Sequence, residues 1–95
     1  MSTVIAIVAV AHPAPGKLER LKEVVATATG WIQSNEPGTL QFEAYEEDGE
    51  TKDDVRVSLF ERYASQEALE MHQNSESYKR FFESVMAEEL LVVAP

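Results

Sequence analysis

Between Val4 and Ala11 the chain reads VIAIVAVA, an unbroken apolar run without a charged or polar side chain. Val and Ile pack well on a pleated surface. The run is too short for a buried helix, and His12-Pro13 ends it, so it is expected to be a strand with apolar residues on both faces. Such a strand needs a sheet that is covered on each side. The run is also too short to cross a bilayer, and no Lys or Arg precedes it as in a signal peptide. The rest of the chain offers limited cover. With 95 residues it makes one domain, and a domain that small buries a modest share of its surface. There is no cysteine, which fits a reducing, cytoplasmic setting and rules out disulfide support. Oligomerisation is the remaining common remedy.

The formal charge is −9, and much of the excess lies in Glu46-Glu47-Asp48-Gly49-Glu50 and Asp53-Asp54. That run is expected at a solvated hairpin tip. An acidic surface repels phosphate backbones and anionic lipid, which argues against nucleic-acid and membrane partners.

Taken in order, Thr3 to His12 is the first strand, and Ala14-Pro15-Gly16 breaks it. A helix is expected to start about there, since proline is tolerated in a first turn. Leu18, Leu21, Val25, Ala28 and Ile32 recur at helical spacing, with Val24 and Trp31 at the edge of the stripe. Asn35 to Gly38 stops the helix, because the residue before Pro37 is pushed out of helical geometry. Thr39 to Glu46 is a second strand, with Leu40, Phe42 and Ala44 on one side. Val55 to Tyr63 is a third, with Val57, Leu59, Glu61 and Tyr63 sharing a face. Ser65 and Ser75 are placed to cap two further helices. Tyr78, Phe81, Phe82 and Val85 form the stripe of the second of these, and Glu88 to Ala94 is expected to be a last strand. The order β-α-β-β-α-α-β predicts an α+β fold of the ferredoxin-like kind, a four-stranded antiparallel sheet with helices on one face. Its other face stays apolar and bare. Burying several hundred Å² at about 25 cal/mol per Å² outweighs association costs of about 4–15 kcal/mol. The expectation is a homodimer, two sheets closing into a barrel.

The stretch LFERYASQEALEMH, Leu59 to His72, carries the most chemistry. His72 shares a helical face with Leu69 and Ala68, and Tyr63 closes the preceding strand. Glu61 points inward with them. It is expected to contact a substrate, to pair with Arg62 or Lys79 in the dimer, or to orient His72. No Gly-rich phosphate loop, nucleophile elbow or cysteine pair is present. His12 and His72, the only histidines, lack metal-ligand spacing, so neither metal nor nucleotide is expected.

Together the apolar first strand, PGK, EPG, LQFEAYE, LFERY, EALEMH and S-x-S-x-x-Y-K-R-F resemble the antibiotic biosynthesis monooxygenase domain family over nearly the whole chain. The resemblance implies a dimeric α+β barrel. Family members include cofactor-free oxygenases of anthrones and phenols, haem degraders, and isomerases of small sugars. The site asparagine, tryptophan and helix tyrosine of the anthrone oxygenases fall on Leu59, Tyr63 and Leu69 here. The Asn, Trp and His of the haem degraders fall near Ala9, His72 and Phe82, so haem degradation is not expected. A histidine at position 72 is a common feature of the wider family.

The resemblance therefore implies an oxidoreductase that needs no cofactor and acts on a small aromatic phenol, quinol or anthrone. Such chemistry asks for a general base near neutral pKa, an oxyanion donor and a dry pocket. His72 is expected as the base, since an unperturbed histidine titrates at about 6.5, and Tyr63 as the donor. Trp31, Phe42, Leu59, Leu69 and Phe82 are expected to hold the ring. The alternative is a barrel that binds or isomerises a small molecule without oxygen chemistry.

Overall fold

In the computed structural model, which describes residues 3–51 and 54–92, the elements follow in the order β1 (Ile5–Ala11), α1 (Leu18–Asn35), β2 (Thr39–Asp48), β3 (Val55–Tyr63), α2 (Gln66–Gln73) and α3 (Glu76–Ala87). The sheet has the order β1-β3-β2, antiparallel throughout, with β3 in the middle. Leu59 of β3 sits between Ala9 of β1 and Ala44 of β2, and Glu61 between Ile7 and Phe42. Strand alternation therefore gathers Ile7, Ala9, Phe42, Leu59, Glu61 and Tyr63 on the face that meets the helices. The other face carries Val8 and Val10, 62% and 50% exposed in the single chain, beside Phe60 and Tyr45, whose rings meet edge-on at 5.4 Å. The first strand does have two apolar faces, and the chain's own helices cover one.

The first helix starts at Leu18, later than the proline position implied. Lys17 N–H bonds Ala14 C=O at 2.9 Å, and Gly16, at φ +76°, takes a left-handed conformation that suits glycine. At the other end Glu36 precedes Pro37 and leaves helical geometry at φ −122°, while its N–H still bonds Ile32 C=O. Ser65 and Ser75 cap α2 and α3, accepting from Ala68 N–H and Tyr78 N–H, both at 3.1 Å. The main core lies where α1 and α3 cross the sheet, with Leu21, Val24, Val25, Val57, Val85 and Leu90 packed together.

Two expectations need correction. The sheet has three strands among the described residues, not four. Glu88 caps α3 and Glu89 turns at φ +51°, so the two glutamates belong to the helix end. Leu91 then makes a single bridge to Pro13, flanked by Ala14 N–H to Leu90 C=O and Val92 N–H to His12 C=O, each 2.8 Å. Proline has no N–H to offer a ladder. The end of the expected strand, from residue 93, lies outside the described residues. Leu40 does not join Phe42 and Ala44 under the helices. The register shifts between Thr39 and Gln41, which leaves Leu40 as the extra residue of a bulge, 46% exposed.

The loop before β2 is locked to the start of α2. Ala64 N–H bonds Gly38 C=O at 2.8 Å, and a Cβ added at Gly38 would stand 2.7 Å from the Ala68 Cβ. That close approach brings the end of α1 up to α2. No helix among the described residues is long and apolar enough to cross a membrane.

Candidate active site

Between the helix-facing side of the sheet and the helices lies a cavity of about 250 Å³. Its floor is Ile7, Ala9, Phe42, Leu59 and Glu61. Leu69, His72 and Gln73 line it from α2, and Ala28 and Ile32 from α1. Ser77, Tyr78, Phe81 and Phe82 close it from α3. The walls are mostly apolar with a few polar groups converging, the usual make-up of a small-molecule site.

His72 is buried. Its Nδ1 lies 2.9 Å from Oε1 of Glu36, which is also buried, and the same oxygen accepts from the Thr39 hydroxyl at 2.8 Å. A carboxylate on one ring nitrogen orients the imidazole and favours a proton on Nδ1. Around the imidazole stand Tyr78, Tyr63 and Phe42, with ring centroids at 5.1, 5.2 and 5.7 Å. Glu36 Oε2 is buried with no hydrogen-bond partner among the described residues.

Tyr63 occupies a different place from the one expected. It is wholly buried beside Glu61 on the same face of the sheet, outside the cavity lining, and its hydroxyl donates to Oε1 of Glu61. Burial, reinforced by that bond and by the charges of Glu61 and Glu36, holds the phenol far above its ordinary range, so it stays neutral. It anchors Glu61 and offers no proton to the cavity. Glu61 therefore does not orient His72. Glu36 holds His72, and Glu61 faces the cavity from the sheet.

Trp31 does not line this cavity either. It is 38% exposed and lines a separate groove between α1 and α3. Its position at the edge of the α1 stripe turns it toward α3, not toward the sheet. Phe42, Leu59, Leu69 and Phe82 do line the cavity, with Phe82, 44% exposed, at its mouth.

Sequence reasoning passed over Glu36 and Tyr78. Tyr78 was legible as part of the α3 stripe, but not as a cavity hydroxyl without a hydrogen-bond partner among the described residues. For Glu36 the one available signal is its place before Pro37, which ends α1 there. Among the described residues no cluster of three or more His, Asp or Glu side chains is placed to hold a metal.

A sequence profile described as antibiotic biosynthesis monooxygenase matches residues 4–84. No curated protein matches the chain. Among solved structures, Rv0793 from Mycobacterium tuberculosis is 27% identical, with a TM-score of 0.80 over 97% of this chain and 87% of that one. PA3566 from Pseudomonas aeruginosa is 28% identical, with a TM-score of 0.79 over 98% and 88%. A Caulobacter crescentus protein named as a candidate antibiotic biosynthesis monooxygenase is 24% identical, with a TM-score of 0.80 over 98% and 83%, a likeness of fold. With the profile spanning most of its length and the ferredoxin-like architecture shared with these structures, the chain belongs to the antibiotic biosynthesis monooxygenase family.

Proposed function

We propose that the protein is a cofactor-free monooxygenase of small hydroxylated aromatic compounds, working as a homodimer. The observation that carries this reading is the buried His72, tied through Nδ1 to Glu36, on the wall of an apolar cavity. Nε2 takes the proton of a ring hydroxyl. The electron-rich anion then passes one electron to O₂, and the ring radical and superoxide combine to form a C–O bond. Loss of water from the resulting hydroperoxide leaves a carbonyl, so that a phenol and O₂ give a quinone and water. The proton held by His72 leaves with that water. Tyr78, at the cavity wall, is the donor for the developing oxyanion in place of Tyr63.

Cavity size narrows the substrate. A dry cavity of about 150 Å³ accepts benzene, and about 250 Å³ suits one or two rings better than a three-ring anthrone. The dimer reading rests on the exposed Val8, Val10 and Tyr45 of the bare sheet face, an apolar patch of the kind that marks an interface.

An oxygen electrode tests the activity. Hydroquinones and naphthols should draw oxygen with the protein, and His72→Ala should lower the rate about 10²–10⁴-fold, the usual contribution of a general base. Uptake no faster than in buffer across the panel would instead support a barrel that binds or isomerises its ligand.

A further inference from the structure

The groove between α1 and α3 is a second hollow, of about 200 Å³. The two helices run antiparallel, since Arg20 near the start of α1 bonds Glu88 at the end of α3. Trp31 therefore lies toward the start of α3, near Glu76, Ser77 and Arg80. Ala28, Ser77 and Phe81 line this groove and the inner cavity alike. The hollows are thus back to back, with the half-buried Phe81 ring, packed against the core and against Phe82, in the shared wall. Small-molecule sites commonly occupy about 300–1,000 Å³. Neither hollow reaches that alone, and together they do.

The groove's charges are unusual for this chain. It has 8 basic residues against 17 acidic ones, and two of the basic ones line this groove. Arg20 is already held by Glu23 and Glu88. Arg80 enters no ion pair with the described residues, although Glu76 lines the same groove one turn earlier. An arginine fork matches a carboxylate with two parallel hydrogen bonds, and the half-exposed Trp31 ring offers an apolar wall beside it. The inner cavity has no lysine or arginine in its lining; its ionisable groups are Glu61, His72 and Tyr78. An acidic group on the substrate therefore has an arginine fork in the groove and the Glu61 carboxyl to avoid inside.

We propose that the α1–α3 groove is the outer half of the binding site and holds the carboxylate arm of a phenolic acid, whose ring lies against His72. This rests on the cavity reading above, but not on the oxygen chemistry. Pairing of two sheets leaves the groove open, because it faces away from the bare sheet face.

Trp31 is the only tryptophan, so its fluorescence reports on the groove. The test titrates para-hydroxyphenylpropionate, its primary amide and tyramine into the full-length protein. It follows Trp31 emission together with the His72 ring signals by NMR. The acid should bind about tenfold tighter than the amide, the scale of one charged hydrogen bond, and should move both reporters. Arg80→Gln, at an exposed position, should erase that preference. Equal binding of acid and amide, tighter binding of tyramine, or an acid preference that survives in Arg80→Gln would overturn the proposal. So would a Trp31 response with a silent His72. If binding behaves as expected but no oxygen is consumed, only the oxygenase reading falls.

Discussion

His72 gives one ring nitrogen to Glu36 and lines the cavity from α2. Glu36 Oε1 serves both His72 and Thr39, so Glu36→Ala strands the buried His72 donor and the half-buried Thr39 hydroxyl at once. Leaving a buried polar group unpaired costs about 1–3 kcal/mol. Urea unfolding of Glu36→Ala should show a loss in that range, while Glu36→Gln, which keeps an acceptor, should lose less. Both should lower oxygen uptake, because a neutral partner holds the tautomer less firmly. Tyr63 makes a separate prediction. Its folded pKa lies above the unfolded value of about 10, mainly through burial. The stability this contributes is complete below about pH 10 and declines as pH rises further. Tyr63→Phe should therefore remove part of the alkaline loss of stability, measured by unfolding midpoints alongside phenolate absorbance.

Two contacts between elements set the site's frame. Gly38 lies so close to Ala68 that an added methyl needs room which is not there. Gly38→Ala should cost about 1–3 kcal/mol, as overpacking does. The pair Gly38→Ala with Ala68→Gly should recover part of it, less about 1 kcal/mol for glycine in a helix. Calorimetry of the single and double variants checks both. The other contact is the clamp of Arg20 on Glu88, which ties α1 to α3 beside the groove. The hydrogen bond from Arg20 holds the Glu88 carboxyl below its ordinary range. Its contribution is present above the usual glutamate pKa of about 4.3 and fades as pH falls through the lowered value. Wild type and Glu88→Gln should accordingly differ in unfolding midpoint at neutral pH and converge in strong acid.

For the molecule as a whole, the bare sheet face is the decisive surface. Val8 and Val10 project from an edge strand beside Phe60 and Tyr45. A lysine at the centre of a closed apolar interface is a buried unpaired charge. Val10→Lys should turn the proposed dimer into monomer in sedimentation velocity. Loss of the burial proposed there should lower the melting temperature as well. A wild-type protein that sediments as a monomer at micromolar concentration would remove the barrel from the proposal.

Elements other than the last strand, and their inner faces, were readable from residue order, since periods of two and of 3.6 are local properties of the backbone. Hence the stripes of α1 and α3, the serine caps, the bare apolar face and the placing of Phe42, Leu59, Leu69 and His72 all came through. What escaped depends on which distant group a side chain meets. Tyr63 found Glu61 and not the cavity, Trp31 at a stripe's edge turned to α3, and a bulge threw Leu40 out of line. The His72–Glu36 pair spans 36 residues and forms because Gly38 lets two chain segments touch. No periodicity encodes a contact of that kind; packing makes it, once the elements have come together.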